Sequence, residues 1–220
     1  MTSQTRQRLD QLSKTLLSMA HQVAKNLTSA CAAVQSFNMK NACTVIAEDD
    51  RIDQMENSLQ KQCQDILTLE RPVAGDLRFV MSTLRMTTDL ERIADRAVNI
   101  AQQIAFIKSA YAETEPAKIL LQQMEGVQRM MRSVVGLISQ MDTDTAKHIA
   151  DMDDAIDEIH TKMFRVIEQI LVEHPVAVAS MIGYLKIAKE FERIADHIVS
   201  ICEEVVFILD GKSIRHSPGL

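Results

Sequence analysis

The feature that most constrains this chain is a stretch written twice. Leu90-Glu91-Arg92-Ile93-Ala94-Asp95-Arg96-Ala97-Val98-Asn99-Ile100 returns as Phe191-Glu192-Arg193-Ile194-Ala195-Asp196-His197-Ile198-Val199-Ser200-Ile201. Each copy sets a Glu and an Asp four residues apart, so on a helix both carboxylates share one stripe. Like charges at that spacing cost an isolated helix about 0.2–0.5 kcal/mol. A chain that accepts this cost twice, in the same context, is expected to have something opposite those acids.

The surroundings of each copy are repeated too. From residue 6 to about 34, apolar residues recur at Leu9, Leu12, Leu16, Met19, Val23, Leu27 and Ala30, in the steps of three and four of a long amphipathic helix. A break at Ser36-Phe37-Asn38, with Asn38 as a cap, leads to a second helix whose seam reads Val45, Asp49, Ile52, Glu56, Leu59, Cys63 and Ile66. Pro72 stands at or just before a third helix running from about residue 73 to 107. A linker around residues 109–116 follows, with Thr114 or Glu115 capping and Pro116 in the first turn. Then the plan starts again. A fourth helix spans about 117–141, Asp142-Thr143-Asp144 offers caps for a fifth, and a sixth carries Glu192 and Asp196 until Gly211 stops it. The fifth seam, Ile149, Asp153, Ile156, His160, Met163, Ile167 and Ile170, superimposes on the second, with Asp153 on Asp49 and His160 on Glu56.

The expected fold is therefore all-α: two tandem three-helix bundles, six long antiparallel helices produced by internal duplication. The first repeat covers residues 1–110 and the second covers 111–220 with a short polar tail. Short connections force antiparallel neighbours, and a helix of about 30 residues is about 45 Å long. Only 6 Gly, 4 Pro and no Trp agree with helices and leave too few turn residues for an all-β chain. A formal charge of -6, without a basic face, argues against nucleic-acid binding. The polar start and the lack of any apolar run near the ~18 residues of a membrane span predict a soluble cytoplasmic protein. Cys31, Cys43, Cys63 and Cys202 show no C-x-x-C spacing and read as small buried hydrophobes, with no disulfide expected.

Each half holds two acid pairs at i, i+4: Asp49 with Asp53 and Glu91 with Asp95, then Asp153 with Asp157 and Glu192 with Asp196. The second and third helices of a bundle are neighbours, so the two pairs can meet. Carboxylates converging on a partly buried site repel unless they are protonated or share a cation. All-oxygen donors suit hard cations such as Mg, Mn, Ca or iron, and His160 adds a nitrogen in the second half only, which favours iron or zinc there. The simpler alternative is a metal-free scaffold whose acids pair with Arg92 and Arg193. The runner-up to the cation-binding regulator is a carboxylate-bridged, ferritin-like di-metal oxidase or storage protein, ahead of that scaffold; only Asp157-Glu158-Ile159-His160 approaches its Glu-x-x-His signature, and in one half only. No phosphate loop, nucleophile elbow or H-E-x-x-H occurs.

The doubled core resembles the PhoU phosphate-uptake regulators, whose hallmark is an E/D-x-x-x-D motif in two tandem three-helix bundles, around Leu-Glu-Arg-Ile-Gly-Asp. Arg71-Pro72-Val73-Ala74-Gly75-Asp76-Leu77-Arg78 resembles the family's lead-in to its third helix, and Gly211-Lys212-Ser213-Ile214-Arg215-His216 its ending. Ala94 and Ala195 stand where the family usually has Gly, and the second lead-in, from Pro175 to Ser180, lacks the Asp-Leu-Arg end. The resemblance implies a non-enzymatic, cytoplasmic negative regulator of phosphate transport and phosphate-starvation signalling. It implies an adaptor between a phosphate ABC transporter ATPase and a sensor histidine kinase, commonly a homodimer. It also implies metal clusters, often iron or zinc, held at Asp49, Asp53, Glu91, Asp95, Asp153, Asp157, Glu192 and Asp196.

Overall fold

The computed structural model describes residues 3–36, 39–107 and 113–211. The described residues form seven α-helices and no strand: α1 (Ser3–Ser36), α2 (Met39–Leu69), α3 (Ala74–Gln103), α4 (Glu115–Gln140), α5 (Thr143–Asp151), α6 (Asp153–Glu173) and α7 (Val178–Asp210). Single 3-10 turns follow α3 at Ile104–Phe106 and precede α7 at Pro175–Ala177. None of these helices is long and apolar enough to cross a membrane. The Asn38 cap, the first half of the linker (residues 109–112) and the tail beyond Gly211 lie outside the described residues.

One expected helix is two. The fifth breaks at Met152, whose N–H turns back to the Ile149 carbonyl at 3.2 Å. Asp is a poor residue for a helix interior but is favourable beside the positive N-terminal end of the dipole. Restarting at Asp153 puts Asp153 and Asp154 in the first turn of α6. The other ends follow local chemistry. The Asp142 carboxylate accepts the Thr145 N–H at 2.7 Å at the start of α5, and hydrogen bonds from the Thr145 side chain and then from that N–H hold its pKa below the ordinary value. Thr114 is the N-cap residue of α4 but makes no cap bond there; its side chain bonds the buried Tyr184 instead. Gly211 ends α7 at φ +69°, donating to the Phe207 carbonyl at 3.0 Å, in the left-handed region that favours glycine.

The seams bury as their periodicity requires. On α2, Val45, Ile52, Leu59, Cys63 and Ile66 are buried, and the acids between them, Asp49 and Glu56, are only half-buried at the edge. α1 packs on α2 and α3, and α4 packs on α6 and α7, completing one three-helix bundle in each half. The bundles share one continuous apolar core. α3 and α7, the two motif helices, make the most extensive pairing in the molecule, and α1 touches α4. Ala94, Ala97 and Ala101 on α3 and Ala188 and Ala195 on α7 are buried, small side chains that suit helices packed by neighbours on several sides. The cysteine expectation needs one correction. Cys31, Cys63 and Cys202 are buried, with burial pushing each thiol up to about 12, but Cys43 is exposed; all four are free.

Candidate metal centre

Because α1 lies under α2 and α3, the groove between those two helices opens on the side away from α1; α4 plays the same part under α6 and α7. Each groove holds one pair of acid pairs. In the first, Asp49 and Asp53 come from α2, Glu91 and Asp95 from α3. Burial, reinforced by Asp53, Asp95 and Asp50, pushes Asp49 up to about 6. Burial and the charge of Asp95 push Glu91 up to about 7, with Glu56 and Asp53 adding to the rise and Arg92 opposing it. The charges on the two helices thus act on one another across the groove. Glu56 joins them: its carboxyl is raised by burial and by Asp53, and it accepts a 2.9 Å bond from the Gln60 amide.

The second groove repeats this on α6 and α7. Burial, then Asp157, Asp196, Asp154 and Glu192, push Asp153 up to about 7. Desolvation, Glu192 and Asp157 raise Asp196, opposed by Lys189 and His197. Asp153 Oδ1 is shut off from solvent and has no hydrogen-bond partner among the described residues. A buried oxygen left in that state costs about 1–3 kcal/mol, more when charged. His160 occupies the position of Glu56 and is half-buried, one turn from Asp157.

Cationic side chains already meet part of this charge. The Arg92 guanidinium lies 3.5 Å from Glu91 and 3.6 Å from Asp95, while Lys189 pairs with Glu192. Arg193, the repeat counterpart of Arg92, is exposed and in no ion pair among the described residues, so Lys189 takes the role expected of it. As arranged, no three His, Cys, Asp or Glu side chains among the described residues close on one point tightly enough to hold an ion. The donor set nonetheless fits a hard cation. It consists of carboxylates from two facing helices, several of them raised by burial and then by their acidic neighbours, and an unsatisfied buried oxygen on Asp153. Asp49, Asp53, Glu91 and Asp95 would hold a cation in the first groove, and Asp153, Asp157, Glu192 and Asp196 in the second. A bound cation supplies the positive charge that lets all of them ionise together.

The α3–α7 contact holds residues that the acid spacing did not pick out. Arg96 on α3 reaches Glu190 on α7 at 3.4 Å, and His197 on α7 meets Asp89 on α3 at 3.0 Å. Glu190 also accepts from Asn99 at 3.4 Å, and Arg85 donates to the buried Glu204 at 3.1 Å. In the repeat, Asp89 corresponds to Glu190 and Arg96 to His197. The two bridges are therefore the same contact made twice, each half supplying the acid once and the base once. The sequence carried a signal for this: in both copies an acid stands two residues before the motif Glu and a base directly after the motif Asp.

The duplication is matched by a family model. The PhoU domain matches residues 16–104 and again 120–205. The chain belongs to the PhoU family. Its relatives include the phosphate-specific transport system accessory protein PhoU homologue of Zymomonas mobilis, 31% identical over 86% of this chain and 79% of that protein. The PhoU homologue 1 of Thermotoga maritima is 28% identical over 88% of this chain and 83% of its own length. Among solved structures, PhoU from Pseudomonas aeruginosa superimposes with a TM-score of 0.90 at 26% identity, covering 94% of this chain and 99% of that one. The phosphate transport system regulatory protein PhoU from Streptococcus pneumoniae does so with 0.89 at 25% identity, covering 95% and 98%. Both PhoU domain matches include a motif helix, so the acidic grooves lie within the matched regions. At the two positions where the family usually has Gly, Ala94 and Ala195 are buried without disturbing either helix.

Proposed function

We propose that this protein is a cytoplasmic regulator of phosphate transport and phosphate-starvation signalling that works through protein contacts and carries cations in its two acidic grooves. The observation that carries the reading is the near full-length match to relatives named phosphate-specific transport system accessory proteins. In this reading the chain is a non-catalytic adaptor between a phosphate ABC transporter ATPase and a sensor histidine kinase, it restrains the starvation response, and it acts as a homodimer. The cation is a divalent or trivalent ion, with iron or zinc first and Mg, Mn or Ca as hard-cation alternatives. Deleting the gene is expected to raise expression of phosphate-starvation genes in phosphate-rich medium, and unchanged expression removes the regulatory reading. Metal analysis of the purified protein beside a Glu91→Ala, Asp95→Ala, Glu192→Ala, Asp196→Ala variant tests the grooves. Equal metal content in the two would sink the site assignment.

One observation favours a second reading, the metal-free scaffold: Arg92 already bridges Glu91 and Asp95. A melting temperature unmoved by chelator and by added metal supports it, since an ion bound only to the folded protein must raise that temperature.

A further inference from the structure

The outward face of α7 carries a stripe that no other helix covers. Val178 and Ile182, one turn apart, are 46% and 44% exposed. A step of four and then one of seven continue the same face through Lys186 and Arg193, both exposed. Neither base is in an ion pair among the described residues, although Lys189 between them meets Glu192. The duplication shows what is unusual here. On α3 the same positions hold Leu77, Met81, Arg85 and Arg92, and the two apolar side chains are again exposed, at 39% and 38%. There the bases are engaged within the molecule: Arg85 donates to the buried Glu204, and Arg92 lies on Glu91 and Asp95. Gln103 stands where the repeat would place a counterpart of Glu204, so the acid that engages Arg85 has no equivalent for Lys186. The α7 copy of the stripe thus keeps both its apolar surface and its two positive charges open.

Resting on the reading that this chain works through protein contacts, we propose that the outward face of α7 docks an acidic amphipathic helix of a partner protein. The partner's apolar residues cover Val178 and Ile182, and two of its carboxylates, seven residues apart, meet Lys186 and Arg193. Lys186 and Arg193 lie about 10 Å apart along the axis, the separation of two such carboxylates on a helix lying alongside. From Val178 to Arg193 the stripe runs about 22 Å, so the docked segment is about four turns long. Charge decides the class of partner. Glu192 and Asp196 flank this face, and the chain as a whole carries a formal charge of -6. A continuous negative surface, such as an anionic bilayer or a nucleic acid, is set against those acids as well as against the two bases. A helix with its carboxylates along one edge matches the bases and leaves the acids in water.

The test is photocrosslinking of the full chain in cells, with benzoylphenylalanine in place of Ile182 and, as the control, in place of Met81. The segment captured at Ile182, identified by mass spectrometry, is expected to be an amphipathic helix with two acids seven residues apart, captured in preference to Met81. A synthetic peptide of that segment is then titrated against the purified protein by fluorescence anisotropy. Lys186→Glu with Arg193→Glu is expected to weaken binding about tenfold, and changing the peptide's two acids to Lys is expected to restore it. Capture of a lipid, a nucleic acid, a second copy of this chain or a segment without the acids overturns the proposal. So does no capture, equal capture at Met81, or a double reversal that weakens binding less than about threefold. If the double variant does not fold, as read by circular dichroism, Lys186→Glu alone is expected to weaken binding about threefold, and no change overturns the proposal. Unchanged starvation-gene expression on deletion overturns the regulatory reading alone, a result distinct from failure of the peptide to bind.

Discussion

Raising or lowering pH across the range where the groove acids titrate perturbs the proposed site without touching the fold's apolar core. Burial and neighbouring charges place Asp153 and Glu91 at about 7 and Asp49 at about 6 in the cation-free protein. A carboxylate must ionise before it coordinates, so binding displaces the proton. A group at about 7 is ionised roughly one part in eleven at pH 6 and ten parts in eleven at pH 8. Asp153 alone therefore weakens the second groove by about tenfold between pH 8 and pH 6. In the first groove Glu91 contributes a similar factor and Asp49 about another twofold, giving about twentyfold. Calorimetric titration of Mn2+ at pH 6, 7 and 8, in buffers of different ionisation enthalpy, reads both the affinity and the protons released. Release of close to one proton per ion at the second groove is expected at pH 6, falling toward zero at pH 8. An affinity that changes by less than about twofold over this range would refute the argument, because it would mean that the acids are ionised before the ion arrives. Asp153→Asn is expected to remove most of the pH dependence of the second groove and to leave that of the first intact.

The same groups predict how the cation-free protein melts. Their folded pKa values are raised above the unfolded ones, so the stability they contribute is full below about pH 4 and is lost as pH rises through about 6 to 7. Added metal should reverse that trend in thermal melts above pH 7. Phe191→Ala, at a fully buried position beside the second motif, is expected to cost about 3–5 kcal/mol in urea unfolding. Gly211→Ala places a side chain at φ +69° and should cost about 1 kcal/mol in the same assay. Arg85→Ala removes the guanidinium that meets buried Glu204 across α3 and α7, with an expected loss of about 1.5–3 kcal/mol.

Helices, their faces and the duplication were legible in the residues alone, because each rests on spacing along the chain. Steps of three and four mark a buried stripe wherever the rest of the chain goes, and Asp142, Gly211 and Pro72 mark ends through local backbone chemistry. The acid pairs were legible for the same reason: four residues is one turn, so Glu91 and Asp95 share a stripe on any helix. The break at Met152 was missed, since the apolar seam continues through it and only the preference of Asp153 and Asp154 for a first turn favours a restart. Arg193 was expected to mirror Arg92, but which cation reaches Glu192 depends on side-chain direction, and Lys189 is better placed.

What only the tertiary structure decided is which helices face one another. A repeat states that two halves are alike and says nothing about whether α3 meets α7, because that pairing depends on apolar surface buried between residues about a hundred positions apart. The α3–α7 contact turns Asp89, Arg96, Glu190 and His197 from flanking charges into two copies of one bridge. It also joins the helix that carries Glu91 and Asp95 to the helix that carries Glu192 and Asp196. Local periodicity determined that the acids would line up along each helix; only long-range packing determined which partners they would have.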